Sequence, residues 1–257
     1  MEIAILGHFT SFTALARIAV IAVLLYGLHA GLRRTVLPPS VQRRTFFVAA
    51  FLILGWTSIV WYLGAVGAFQ ARPDVRVPLI PFAVIVPIIV GWLLVTRSGA
   101  MRAAVEAIPH SWLIGFQVYR VLGFTFLWQW WSGLLPGQFA LPAGIGDVLV
   151  GILALVVAFS FRGDTVRARR LAYGWNVLGI IDLVIALTMG FLTSPGRFQI
   201  LAFDNPNLLT TAFPLVLIPA SAVPQSILLH MVSLWKLQQP YDEINPSAGL
   251  SNRREKV

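Results

Sequence analysis

Long apolar stretches alternate with short polar or basic turns along the whole chain. Seven of these stretches, at about 12–32, 45–69, 79–96, 111–132, 143–161, 171–192 and 208–236, match the roughly 20 residues an α-helix needs to cross a bilayer. The separators are turn formers: Arg33-Arg34-Thr35-Val36-Leu37-Pro38-Pro39, Gln70-Ala71-Arg72-Pro73-Asp74, Arg162-Gly163-Asp164, Ser194-Pro195-Gly196-Arg197 and Asp204-Asn205-Pro206-Asn207. The pattern predicts an all-α fold, a polytopic integral membrane bundle of about seven helices. Residues 1–240 form one transmembrane domain, and the polar stretch 241–257 is expected to be a disordered cytoplasmic tail. Between spans 3 and 4, residues 97–110 predict a short amphipathic helix at the membrane interface.

Composition excludes a water-soluble domain. The chain has 257 residues, 58% hydrophobic and 11% charged, with mean hydropathy +0.80. A soluble fold of this size carries roughly a quarter of its residues as charges. Lys and Arg number 19 against 10 acids. In a soluble protein that excess suggests nucleic acid, but here the basic residues sit between apolar runs, so their meaning is topological and no nucleic-acid partner is expected.

The basic residues assign an orientation. One set of segments holds Arg33, Arg34, Arg43, Arg44, Arg97, Arg102, Arg162, Arg167, Arg169, Arg170, Lys236, Arg253, Arg254 and Lys256; the other holds Arg72, Arg76 and Arg197. A bias of fourteen to three predicts the N-terminus outside and the C-terminus in the cytoplasm. Residues 1–10 lack the Lys and Arg of a signal-peptide n-region, and the apolar run before Ala14-Leu15-Ala16 is too short for a cleaved signal, so the first span is expected to remain. Cysteine is absent, which excludes disulfides, thiolate ligands and thiol nucleophiles.

Ionisable groups inside the spans are the candidate chemistry, because a charge at the bilayer centre costs roughly 2.5–3.5 kcal/mol and needs a partner or a wet cavity. In spans 1–3 these are Arg17 and His29; in spans 4–7 they are Arg120, Asp147, Asp182 and His230. Arg120 lies about 14 Å, and Asp182 about 16 Å, from the same predicted membrane face at 1.5 Å rise per residue. Equal depth and opposite sign make them the expected ion pair, either fixing the packing of spans 4 and 6 or forming a gated site at which Asp182 exchanges Arg120 for a proton, cation or substrate.

Asp147 reads as an acid in the first turn of span 5, favoured there by the helix dipole. Alternatively it is the floor of an outer vestibule formed by the turn-rich stretch Gly133 to Gly146, or a second partner for Arg120. Gly144 and Gly151 allow close helix approach. Span 7 contains Pro214, Pro219 and Pro224 beside Ser221 and Gln225, a pattern of kinks or breaks. Asn176, Gln117 and Gln225 are candidate hydrogen-bonding accessories. His29, His110 and His230 map to the cytoplasmic half and are weak candidates for a haem or metal; no pair has ligand spacing on one helix, and no cofactor is predicted. Trp128, Trp130, Trp131 and Trp235 read as interface anchors.

No phosphate-binding glycine loop, H-E-x-x-H or G-x-S-x-G is present, and no lysine lies deep in a span, so the pattern points away from an enzyme. Gln117-Val118-Tyr119-Arg120, Phe139-Ala140-Leu141-Pro142-Ala143-Gly144-Ile145-Gly146-Asp147, Trp175-Asn176 with Asp182, and Val223-Pro224 before His230 resemble a group of uncharacterised bacterial multispanning membrane proteins. The resemblance covers spans 4–7 and implies a multi-pass protein of the bacterial inner (plasma) membrane, with no activity attached; spans 1–3 resemble no named group.

Three expectations follow. The first is a small transporter or ion-coupled permease for a small molecule or ion, with its site between spans 4–7. The second is a membrane assembly or sensor module whose charges are structural. The third is a haem- or metal-binding redox protein. A bundle this small is also compatible with a homo-oligomer.

Overall fold

The computed structural model describes residues 2–74, 78–161 and 165–239, with the side chains of residues 2–11 outside that description. The predicted tail 241–257 also lies outside the described residues. Among the described residues all regular structure is helical and no strand occurs. The helices are α1 (Glu2–Arg33), α2 (Pro39–Ala65), α3 (Ile80–Arg97), α4 (Gly99–Ala107), α5 (His110–Phe116), α6 (Phe124–Trp131), α7 (Gly137–Ser160), α8 (Val166–Thr193) and α9 (Val223–Leu237).

Five of these, α1 from Phe12, α2, α3, α7 and α8, are long and apolar enough to cross a membrane. Their outward faces carry large apolar side chains in the open, among them Phe51 at 76% and Val156 at 59% exposed. A surface this apolar is not stable in water and fits lipid contact. The chain is a helical membrane protein.

The two remaining apolar stretches are helical but interrupted. Residues 110–131 run as α5, then a 3-10 segment Gln117–Gly123, then α6. The 208–236 stretch is not one kinked helix. It comprises a 3-10 turn Leu209–Thr211, further turns, a π-turn Ile218–Ala222 and then α9. The prolines account for this: Pro214 lies in the turns, Pro219 in the π-turn and Pro224 at the start of α9 directly after it, each removing a backbone donor. Helix α7 begins six residues before the predicted boundary at 143, with Pro142 inside it.

The interfacial helix expected at 97–110 is α4. Ser98 caps it, accepting from the Met101 amide at 3.3 Å, and Met101, Ala104 and Val105 face inward. Its far end is closed by Lys236, whose ammonium donates to the carbonyls of Val105 (3.1 Å), Glu106 (2.8 Å) and Ile108. A cation on the last carbonyls of a helix satisfies both their hydrogen bonding and the dipole. Arg169 donates to the carbonyls of Leu237 and Gln239, and Arg34 stacks 4.5 Å over Trp112. Several residues of the larger basic set therefore meet at one end of the bundle. Arg72 and Arg197 line a cavity among the turns that follow α2 and α8.

Candidate functional site

The 3-10 segment carries Arg120 between α7 and α8. Its Nε donates to Asp147 Oδ1 at 2.7 Å, and its Nη2 donates to Asp182 Oδ2. Nη1 donates to the Gly179 carbonyl at 3.3 Å and to His230 Nε2 at 3.1 Å. One guanidinium thus bridges both candidate acids and uses four of its five N–H groups. The choice of partner left open by the sequence, Asp182 or Asp147, resolves as both.

Proton positions in the adjoining track follow from that geometry. A guanidinium cannot accept, so His230 Nε2 must accept, which makes the ring neutral with its proton on Nδ1. Nδ1 then donates to Asn176 Oδ1 at 2.9 Å. The Asn176 amide donates to the Ala172 carbonyl (2.8 Å) and to Ser233 Oγ (2.9 Å), and Ser233 Oγ lies 2.8 Å from His110 Nε2. A continuous chain of hydrogen bonds therefore joins Arg120, His230, Asn176, Ser233 and His110.

Close packing holds these polar groups where hydrocarbon would otherwise surround them. A Cβ on Gly146 of α7 would overlap the Asp182 carboxylate, and one on Gly179 of α8 would overlap the His230 ring. Gly123 stands in the same relation to Asp147. The site is built where helices touch backbone to side chain, and glycine is the residue that permits it.

Asp147 is not a first-turn acid. Because α7 starts at Gly137, Asp147 is in its third turn, where an N-terminal dipole no longer acts on it directly. Nor is the vestibule made by the Gly133–Gly146 stretch alone, most of which is helix. Two cavities of about 90 Å³ each meet at Asp147 instead. One lies among the turns after α2 and α8 and the Leu209–Thr211 turn. The other is bounded by α1, the 3-10 segment and the π-turn, and includes Arg17, Tyr119 and Arg120 in its wall.

The other candidates fall outside this cluster. Gln117 donates to the Ser226 carbonyl at 3.1 Å, and buried Gln225 Nε2 has no acceptor; neither bonds to Arg120, Asp147 or Asp182. His29 packs edge-on against Phe46, 5.5 Å between ring centres, away from the His110–His230 track. Among the described residues, no group of three His, Cys, Asp or Glu side chains could hold a metal ion.

Two participants were not assigned to this site from the sequence. Tyr119 donates to or accepts from Ser226 Oγ, beside Arg120. Arg17, 7% exposed, reaches from α1 to Ser221, with Nη2 donating to its Oγ at 2.8 Å and its carbonyl at 3.3 Å. The signal for Arg17 was present, as the one buried cation of spans 1–3. Its helix simply gave no hint of where it packs.

Residues 77–238 match the family described as Domain of unknown function (DUF8737). The match includes every string on which the resemblance rested, and it also takes in span 3, which resembled no named group. No curated protein and no solved structure matches the chain.

Proposed function

The chain belongs to that family, and we propose that it acts as a small ion-coupled permease of a bacterial inner membrane. In this reading it crosses the bilayer seven times. The five long helices are joined by the α5–α6 segment and by the π-turn with α9. At about 1.5 Å per α-residue and 2.0 Å per 3-10 residue, the α5–α6 segment is long enough to span roughly 30 Å of hydrocarbon. The N-terminus is outside and the C-terminus cytoplasmic, an orientation supported by the basic residues gathered at one end.

The observation that carries the permease reading is the position of Asp147: it bonds to Arg120 while lining both cavities. One guanidinium against two carboxylates leaves one negative charge, which a proton or cation can neutralise at a site that borders both cavities. Arg120 is the fixed counter-charge, Asp182 the exchanging acid, Asp147 the relay facing the cavities, and Asn176 with His230 the brace that orients Arg120.

A structural reading has its own support, since Arg120 is nearly saturated with acceptors and glycines seat its partners tightly. The two readings separate in proteoliposomes holding a pH-sensitive dye, challenged with ions and small organic solutes. A permease loses solute-driven flux at least tenfold on Asp182→Asn while folding is retained, and Arg120→Gln in the same chain does not restore it. Full flux in that double variant makes the cluster a helix clamp and nothing more.

A further inference from the structure

Arg17 and Arg120 share one cavity wall but differ in how they are satisfied. Arg120 has two carboxylates, a carbonyl and an imidazole. Arg17 has only the hydroxyl and carbonyl of Ser221, both served by a single nitrogen. Its Nε and Nη1 are buried without any acceptor, and among the described residues no carboxylate lies within ion-pair distance. A buried cation normally has a counter-ion, and its donors normally have acceptors. Arg17 lacks both, next to an empty volume of about 90 Å³.

The rest of that volume is bounded mainly by apolar side chains, including Val20, Leu122, Phe126, Leu183 and Leu217, with Tyr119, Arg120 and Asp147 among the polar residues of its wall. We propose that this cavity is a binding site for a small organic monocarboxylate, with Arg17 taking the oxyanion and the apolar wall taking the body of the ligand. Nε and Nη1 lie on different edges of the guanidinium, so each can give an anion oxygen one charge-assisted hydrogen bond rather than a two-pronged fork. The size admits a body of a few carbons or one ring, and an apolar wall disfavours a second charge.

As a substrate class this rests on the permease reading; as a binding site it does not. Charge counting links the two. Arg17, Arg120, Asp147 and Asp182 sum to zero, so a bound monocarboxylate brings the set to −1, and one proton on a carboxylate restores neutrality. Uptake would then be electroneutral, one proton with each anion.

The test uses the full-length protein in detergent and radiolabelled benzoate, butyrate, laurate and inorganic phosphate in equilibrium dialysis. Saturable binding of benzoate or butyrate is expected, at least tenfold weaker in Arg17→Gln and partly recovered in Arg17→Lys. Phosphate should not compete. Binding of laurate alone would place a membrane-resident acyl chain in the site and overturn the small-solute proposal, as would equal binding by wild type and Arg17→Gln. So would failure of wild type to bind any probe.

If Arg17→Gln does not fold, Ala222→Leu serves instead, since it fills the cavity and leaves every charge in place; undiminished binding there also overturns the site. Asp182→Asn keeps the two ideas apart. Binding that survives in wild type without solute-driven proton flux in liposomes refutes the permease and leaves the site. Flux that ignores Arg17→Gln refutes the site and leaves the permease.

Discussion

Replacing Gly146 by alanine asks whether the Arg120–Asp182 contact contributes to stability or is an incidental fit. A glycine-to-alanine change inside a helix gains roughly 0.8–1 kcal/mol if nothing else moves. At Gly146 something must move, because the new methyl would occupy the space of Asp182 Oδ1. Asp182 can rotate away, but its other oxygen is the acceptor for Arg120 Nη2, so rotation breaks that bond.

Deleting one partner of a buried pair costs about 3–5 kcal/mol. Displacing a carboxylate that stays charged, while Arg120 retains Asp147, should cost somewhat less, about 2–4 kcal/mol. The net change is therefore a loss of about 1–3 kcal/mol, or a Tm lower by about 3–10 °C for a chain of this size. Gly174→Ala on α8, where a Cβ meets open space, is the matched control and should hold or raise Tm. Thermal unfolding in detergent reads both, and Asp182→Ala in the Gly146→Ala background should cost less than the two single losses combined, because the clash and the pair are removed together. A Gly146→Ala protein as stable as wild type, or more so, would refute the claim that this packing holds a pair of energetic consequence.

Two further outcomes are expected. Lys236→Met should preserve packing but remove the cation from three carbonyls at the end of α4, costing roughly 1–3 kcal/mol and speeding hydrogen exchange across residues 99–108; unchanged exchange would mean that α4 is held by its apolar face alone. The absence of native cysteine allows single-cysteine labelling: Cys at exposed Val36 should react with an impermeant maleimide only after cells are opened, and Cys at exposed Phe203 should react in intact cells. The reverse pattern would invert the assigned orientation.

The membrane class and the Arg120–Asp182 partnership could be read from the sequence because each depends on one strong term. Hydrocarbon excludes charge, and two opposite charges at equal depth have few other places to go. The errors came from weaker terms. Pro142 and the glycines around it suggested the outside of a helix, yet α7 runs through them, so Asp147 was assigned to a first turn it does not occupy. His230 was read only as a weak haem or metal candidate of the cytoplasmic half, whereas it is fully buried against Arg120 and Trp175. Gln225 looked like a site residue because it stands beside Pro224, but α9 carries it away from the cluster. Depth can be counted along a helix; azimuth cannot, when apolar residues surround the helix on every side.

The glycines held the missing azimuthal information. Gly123, Gly146 and Gly179 each lie on the face toward a charged or imidazole partner, and knowing those faces orients α7, α8 and the 3-10 segment around Arg120. The buried charges do not balance within residues 77–238 alone. That segment supplies two carboxylates and one guanidinium. The fourth charge, Arg17, comes from α1, outside the family match, and approaches through the π-turn at Ser221 rather than through any acid. A helix whose only service was to neutralise the cluster would bring its cation to Asp147 or Asp182. α1 instead places it on the wall of the cavity that Asp147 also lines, with two nitrogens idle, and the proposed anion would sit there between opposite charges.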